Sequence, residues 1–403
     1  HSIQFAAPKA GTHMLCRGAT SMNLILSVAI AITLLTSALI VIRFYRLRLS
    51  GTDPLPLGAF MAILFTSGLD VGLIMFPLTE FPTYEADAEY GFTNALAIEF
   101  GFWGFLVWGF YFLTTFYFCV VEPKLKLFEL RPVKLINAAV IIATCAFTGF
   151  LFLTYLPSYI VGITPIARYG LVALVVLVAV LSSTDIRYVK WLSMGSTALF
   201  LGLIGLLWLV SGMGPDEFLA SAANIGGYFQ HIHKFISPIS DYHAFYLFWW
   251  FAWSIMIGQF VARFVGGLTV WQLLLALLVL PSIPIALWFS LLFYIYNAAT
   301  TLSVLPRLCM VVVGVIFVVN SLDSLIRLYS ENLNLTVARL TGPGYVAAHW
   351  ALIFGLILLY QFTPLKIEWI GLVVIGIYCS IYVLAFRHRA RLISPSTPKA
   401  LTE

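Results

Sequence analysis

Apolar blocks recur along this chain, each close to the roughly 20 residues that a helix needs to cross a bilayer, with short polar breaks between them. They fall near 23–44, 57–79, 93–119, 133–156, 168–184, 191–211, 243–263, 272–295, 305–326, 346–362 and 367–388, so about eleven spans are expected. In hydrocarbon a helix satisfies its own backbone polar groups, and the pattern therefore predicts an all-α polytopic membrane protein. Composition agrees. Of 403 residues 61% are hydrophobic and 10% charged, against roughly 25% charged in a soluble domain.

The polar breaks carry a charge asymmetry. Arg43, Arg46 and Arg48, then Lys124, Lys126, Arg131 and Lys134, then Arg187 and Lys190 fall on alternate loops. Arg263, Arg327, Arg339, Arg387, Arg389 and Arg391 continue the same side. Basic loops stay in the cytoplasm, which predicts an N-terminus outside and a cytoplasmic C-terminus. The opposite loops, "EFPTYEADAEY" and "SGMGPDEF", are acidic, with Arg168, Lys234, Arg307 and Lys366 as exceptions. A net charge of +5 spread over short loops is not a nucleic-acid footprint, so the expected surroundings are a lipid bilayer and no nucleic acid. The five cysteines form no C-x-x-C pair, and His231, His233 and His243 lack an organising scaffold, so no metal site is expected.

Residues 1–21, which open on His1, read as an unpatterned tail and in part an expression remnant. Residues 22–50 hold an extra transmembrane helix, 51–190 a first inverted repeat, 191–393 a second, and 394–403 a cytoplasmic tail. Two spans contain small polar breaks: "LFTSGLDVGLIMF", where Gly68 and Gly72 flank Asp70, and "SIMIG", from Ser254 to Gly258. They sit five spans apart, which gives the two halves opposite topology. Broken helices at matching positions of inverted repeats point to a transporter's midplane site.

Aromatic residues supply the candidate chemistry. In the third span Trp108 and Tyr111 share a helical face, while Trp103 is displaced from Trp108 by about 140° on an unbroken helix. With Trp249, Trp250 and Trp253 they can frame a box of ring faces. Such a box attracts a quaternary ammonium group, which offers no N–H to a hydrogen-bond acceptor, by about 0.5–2 kcal/mol per contact. Interhelical packing is the competing reading, and by spacing alone the commoner one.

The stretch "FWWFAWSIMIGQFVAR" resembles the betaine/choline/carnitine transporter family, whose signature runs W-W-x-x-W-S-P-F-x-G-x-F-x-A-R. Trp249, Trp250, Trp253, Ser254, Gly258, Phe260, Ala262 and Arg263 match in register. "WGFLVWGFY" is similar to the family's W-G-x-x-x-W-x-x-Y box through Trp103, Gly104, Trp108 and Tyr111. "TEFPTY", "VKWLS" and "NSLDS" resemble further family elements, and the likeness runs from about Arg43 to Arg391. It implies a leucine-transporter fold of two inverted five-helix repeats. The family carries two helices before that core and often forms homotrimers; here one helix, 23–44, precedes the core, so the family's first is expected to be absent. By the resemblance Trp103, Trp108, Tyr111 and Trp250 cage the ammonium group and Trp253 lines the path below.

The departures shape the functional expectation. Where the family has G-M-G-x-G, this chain reads Gly68-Leu69-Asp70-Val71-Gly72. An intramembrane carboxylate is a functional hypothesis by default, whether it holds a proton or faces the substrate cation; the plainer alternative is a helix cap. In the family an aspartate here goes with proton coupling and choline-like substrates. The family's sodium site corresponds to Thr66 and Leu69 carbonyls with Asn320 and Ser321, Asn320 replacing a threonine. Asp323 reads as structural, Ile255 replaces the proline of W-S-P-F, and the basic family loop is reduced to "VGGLT", so osmotic gating is not expected. Glu99 is a second candidate proton site or a group in water, and Arg263 an inner-gate or snorkelling residue.

The leading expectation is a secondary transporter of a small choline-, betaine- or carnitine-like solute, with H+ or Na+ as coupling ion, Asp70 as coupling group and no other cofactor. The alternative is a non-transporting subunit that binds a partner protein. A lipid-linked glycosyltransferase ranks last, because no catalytic constellation accompanies "YEADAEY".

Overall fold

The computed structural model describes residues 14–69, 72–185 and 187–389. Helix α1 (Met14–Phe44) precedes the core. The second crossing is broken into α2 (Leu57–Gly68), α3 (Gly72–Met75) and α4 (Pro77–Ala86). The third is broken once, between α5 (Ala95–Trp103) and α6 (Phe105–Phe116), and ends in the short α7 (Glu122–Leu125). Three further crossings follow, α8 (Arg131–Tyr159), α9 (Pro165–Ser182) and α10 (Arg187–Ser211). Short α11 (Pro215–Ala223) and α12 (Gly226–Gln230) lie in the connection to α13 (Asp241–Ala262). The last crossings are α14 (Val270–Val279) with α15 (Ser282–Asn297), α16 (Val304–Leu333), then the turn α17 (Val337–Leu340), α18 (Gly342–Phe362) and α19 (Ile367–Arg387).

Ten helical stretches are long and apolar enough to cross a bilayer, and the crossing that begins with Leu57–Gly68 makes the eleventh among the described residues. Local chemistry sets the helix starts. Asn94, Thr164 and Ser240 each accept a hydrogen bond from a backbone N–H of the first turn, and Pro165 occupies a first-turn position where no donor is needed.

The packing is reciprocal between halves. Helix α8 packs on α18 as α16 packs on α9, α10 lies on α2 as α19 lies on α13, and α10 touches α16 as α19 touches α8. Helices α8 and α16 form the central pair. That exchange pattern is the two-repeat leucine-transporter arrangement. A division at residue 190 would fall inside α10 and leave four crossings before it; the contacts of α10 with α2 make it the fifth helix of the first half.

Helix α13 is apolar all round and buried on nearly every side, as expected of a helix inside a bundle. Helix α1 instead exposes Leu24, Leu35, Leu39 and Ile42 toward the periphery. At the arginine-rich end, β1 (Arg48–Ser50) pairs antiparallel with β2 (Gly266–Thr269), tying the entry to α2 to the exit from α13.

Candidate functional site

The second crossing breaks where its glycines stand. Helix α2 ends at Gly68, Leu69 is extended (φ −123°, ψ 152°), and helix resumes at Gly72. Asp70 lies outside the described residues. The carbonyls freed by the break find side-chain donors. Tyr111 Oη donates to Gly68 at 2.8 Å, Trp288 Nε1 to Leu73 at 2.8 Å, and Tyr159 Oη to Met75 at 2.7 Å. A Cβ on Gly68 would sit 3.2 Å from the Tyr111 ring, so glycine gives the tyrosine its approach.

From α16, Ser321 Oγ lies 3.1 Å from the Leu69 carbonyl oxygen and 3.5 Å from that of Thr66. Next to it, the Ser67 and Ser324 hydroxyls are 2.9 Å apart. Thr66, Leu69 and Ser321 therefore converge. Asn320 does not join them. Its amide faces Ser193 of α10 at 3.3 Å, because it occupies the neighbouring face of α16.

All six candidate ring residues are buried, and five of them fall into two groups, with Trp253 in neither. Trp103 meets Trp250 edge-on at 5.0 Å and Trp249 at 5.7 Å, while Trp249 and Trp250 stack at 4.6 Å. Phe76, at the start of α4, closes this group 6.0 Å from Trp103 and 6.1 Å from Trp249. Trp108 and Tyr111 make a separate edge-on pair at 5.5 Å beside the Gly68 break. Trp250 Nε1 donates to the Phe102 carbonyl at 2.8 Å. The indole N–H groups of Trp108, Trp249 and Trp253 are buried without a partner among the described residues.

The third crossing's break turns Trp103 toward α13. Helix α5 ends at Trp103 and Gly104 starts α6; a Cβ there would lie 2.6 Å from the Phe100 carbonyl oxygen. An unbroken-helix projection misses this kink. The expected break in α13 is absent. Residues 254–258 are continuous α-helix, and Ile255 keeps the backbone N–H that the family's proline lacks. The small residues serve close packing instead. A Cβ on Gly258 would sit 2.2 Å from Thr114 Oγ1 of α6, and Tyr378 of α19 donates to Ser254 Oγ at 2.9 Å.

Beyond Trp103, toward the loop 87–94, lies a buried acidic cluster. Glu80 Oε1 accepts from Tyr155 at 2.9 Å and from Tyr242, and Oε2 from Tyr246 at 2.8 Å. The Tyr84 hydroxyl is 2.5 Å from Glu80 Oε2 and 2.7 Å from Glu99 Oε2. Glu99 is fully buried, not in water. Sequence reading found Glu80 only within the "TEFPTY" likeness. Its spacing to Tyr84 is the signal that places both on one helical face. His243 is buried too, its ring stacked on Phe102 at 4.4 Å and its Nδ1 accepting from the Ile239 N–H at 3.1 Å.

The arginine-rich end is tied shut by polar contacts. Arg263 pairs with Glu331 at 2.9 Å, and Gln259 bridges Asn137 (2.9 Å) and Asn332 (3.3 Å). Asp323 pairs within α16 with Arg327 at 2.9 Å, and Arg327 also donates to the Ser182 and Asp185 carbonyls at the end of α9. The Arg187 side chain beside it holds the Asp185 carboxyl down to about 2.

A family model described as "BCCT, betaine/carnitine/choline family transporter" matches residues 133–295. The glycine betaine transporter OpuD of Bacillus subtilis is 27% identical over 61% of this chain and 57% of its own length. The high-affinity choline transport protein of Escherichia coli K12 is 33% identical over 31% of this chain and 20% of its own length. Over these stretches the chain is similar to the betaine/carnitine/choline transporter family. It spans about half the length of the curated relatives it matches, which include an uncharacterized transporter of Mycobacterium tuberculosis H37Rv at 26% identity. Among solved structures, a Na+-coupled sialic acid symporter in a substrate-bound outward-open state is 16% identical with a TM-score of 0.43, over 92% of this chain and 85% of that one. The chain is a multi-pass membrane protein, and curated relatives it matches are named as transporters.

Proposed function

We propose that this protein moves a small quaternary-ammonium solute of the choline, betaine or carnitine kind across the membrane by alternating access. The observation that carries the reading is the set of buried rings between α5, α6 and α13, Trp103 against Trp249 and Trp250 and Trp108 against Tyr111. Ring faces suit a trimethylammonium group. In the described conformation the rings touch one another, so admission of the solute requires α5 or α6 to shift against α13, at the Gly104 break.

Two coupling ions fit. Asp70 stands in sequence between the glycines of the broken crossing, where a carboxylate holds a proton or faces the solute's cation. Thr66, Leu69 and Ser321 oxygens suit Na+, since unwound carbonyls are a usual ion site in such folds. Proton coupling through Asp70 is the preferred version. The arginine-rich end faces the cytoplasm and the Glu80 end faces outward, placing the N-terminus outside. A homotrimer is the expected assembly.

Binding of choline and of betaine to purified protein, followed by tryptophan fluorescence and calorimetry, tests the reading. Trp103→Ala with Trp250→Ala is expected to abolish binding while the helical signal persists. Unchanged affinity in that variant overturns it. A folded wild type that binds neither solute but captures a membrane partner favours the non-transporting subunit.

A further inference from the structure

Two buried carboxyl groups share one phenol in this fold. Tyr84 has a single hydroxyl hydrogen, yet its oxygen lies 2.5 Å from Glu80 Oε2 and 2.7 Å from Glu99 Oε2. Both are hydrogen-bond distances for O–H···O. One hydrogen cannot serve both, so one carboxyl must itself carry a proton and donate it to Tyr84.

The surrounding partners decide which. Each Glu80 oxygen meets two tyrosine hydroxyls, Tyr155 and Tyr242 on Oε1, Tyr84 and Tyr246 on Oε2. Four donors fill the acceptor capacity of an ionised carboxylate. Glu99 has fewer donors, the Tyr84 hydroxyl at 2.7 Å and the Trp103 indole beside it. The Trp103 indole N–H, one helical turn along and fully buried, faces Glu99.

We infer that Glu99 carries an exchangeable proton, held in the chain Glu99 O–H to Tyr84 O–H to Glu80 carboxylate, and that this proton is linked to occupancy of the ring site through Trp103. The inference deepens the transporter reading and rests on it. Losing the proton to solvent leaves two carboxylates either side of one phenol. None of the four ion pairs among the described residues includes either of them.

Among the described residues, the groups facing the pair include no cation. Helix α4 contributes Tyr84, and α8 contributes Tyr155 and Tyr159. Helix α13 contributes Tyr242, Tyr246 and His243, whose Nδ1 is engaged as an acceptor from Ile239. Tyr90 binds Ser240, and Tyr296 of α15 binds the exposed Glu85. Tyr228 of α12 packs on Phe100 next to Glu99 in sequence. A solute ammonium beside Trp103 would bring a positive charge to the site. It favours the ionised Glu99, so solute binding releases the proton and affinity for a cation rises with pH.

Two measurements on purified full-chain protein test this. The infrared carbonyl band of a protonated carboxylic acid, recorded at neutral pH without solute, is expected in wild type, missing in Glu99→Gln and displaced in Glu99→Asp. Its persistence in folded Glu99→Gln overturns the assignment. For choline, the affinity of wild type is expected to rise with pH by up to about tenfold per unit, the limit for one linked proton, while Glu99→Gln is flat. A slope kept in Glu99→Gln and lost in Asp70→Asn moves the proton to Asp70 and overturns the linkage. A wild type that binds neither choline nor betaine sinks the transporter reading, and the infrared band then judges Glu99 alone.

Discussion

Ser321 Oγ lies 3.1 Å from the Leu69 carbonyl oxygen, so a hydroxyl on α16 is the donor for a backbone group set free by the break in the second crossing. The same contact joins the two inverted halves next to the ring site. Any ion at that point would compete for the oxygens that the hydroxyl now holds together.

Ser321→Ala is therefore expected to act in two ways. It leaves the Leu69 carbonyl without its donor, costing about 1 kcal/mol in thermal stability. It also abolishes any sodium dependence of uptake while sparing a dependence on pH. Sodium-driven uptake that survives Ser321→Ala would remove Thr66, Leu69 and Ser321 from ion coupling.

Ile255→Pro restores the residue of the family signature and tests whether α13 is continuous. In an unbroken helix the proline removes one backbone hydrogen bond and clashes one turn back, costing about 3 kcal/mol or more. The variant is expected to melt well below wild type in detergent. Wild-type stability would mean that this segment unwinds in solution as the signature suggests.

Arg327 and Asp323 form a pair inside α16 that also secures the end of α9 through the Ser182 and Asp185 carbonyls. Arg327→Leu strands a buried carboxylate and is expected to destabilise by about 3–5 kcal/mol. The double variant Arg327→Leu with Asp323→Leu removes both charges and is expected to recover part of that loss. Equal melting of the single and double variants would show that the carbonyl contacts, not the stranded charge, carry the effect.

Gly258→Val probes the packing that replaced the expected break. Its side chain would enter the space of Thr114 Oγ1, 2.2 Å from the ideal Cβ position. Overpacking of this kind costs about 1–3 kcal/mol. Thr114→Ala in the same chain is expected to relieve it, which a two-variant melting comparison resolves.

The bundle was readable from sequence because span length and apolar content are direct consequences of bilayer thickness. The break near Gly68 was readable too, since two glycines around a carboxylate contradict an ordinary lipid-facing helix. Gly104 was not, because the collision that demands a glycine is with the Phe100 carbonyl oxygen and exists only once the chain is folded. Ser254 and Gly258 misled for the complementary reason: small residues signal a break or a close approach equally well, and Thr114 and Tyr378 make it the second. The six rings were found, but their split between Trp103 and Trp108 follows from the kink. Glu80 and Glu99 meet only through the hairpin of α4 and α5, which no periodicity within either helix reveals.

Uptake of labelled choline and betaine into proteoliposomes, with proton and sodium gradients imposed separately, tests the central claim most directly. Wild type is expected to accumulate at least one of the two under a proton gradient, and the Trp103→Ala, Trp250→Ala variant to accumulate neither. No accumulation by folded wild type under either gradient, or undiminished uptake by the variant, would contradict it.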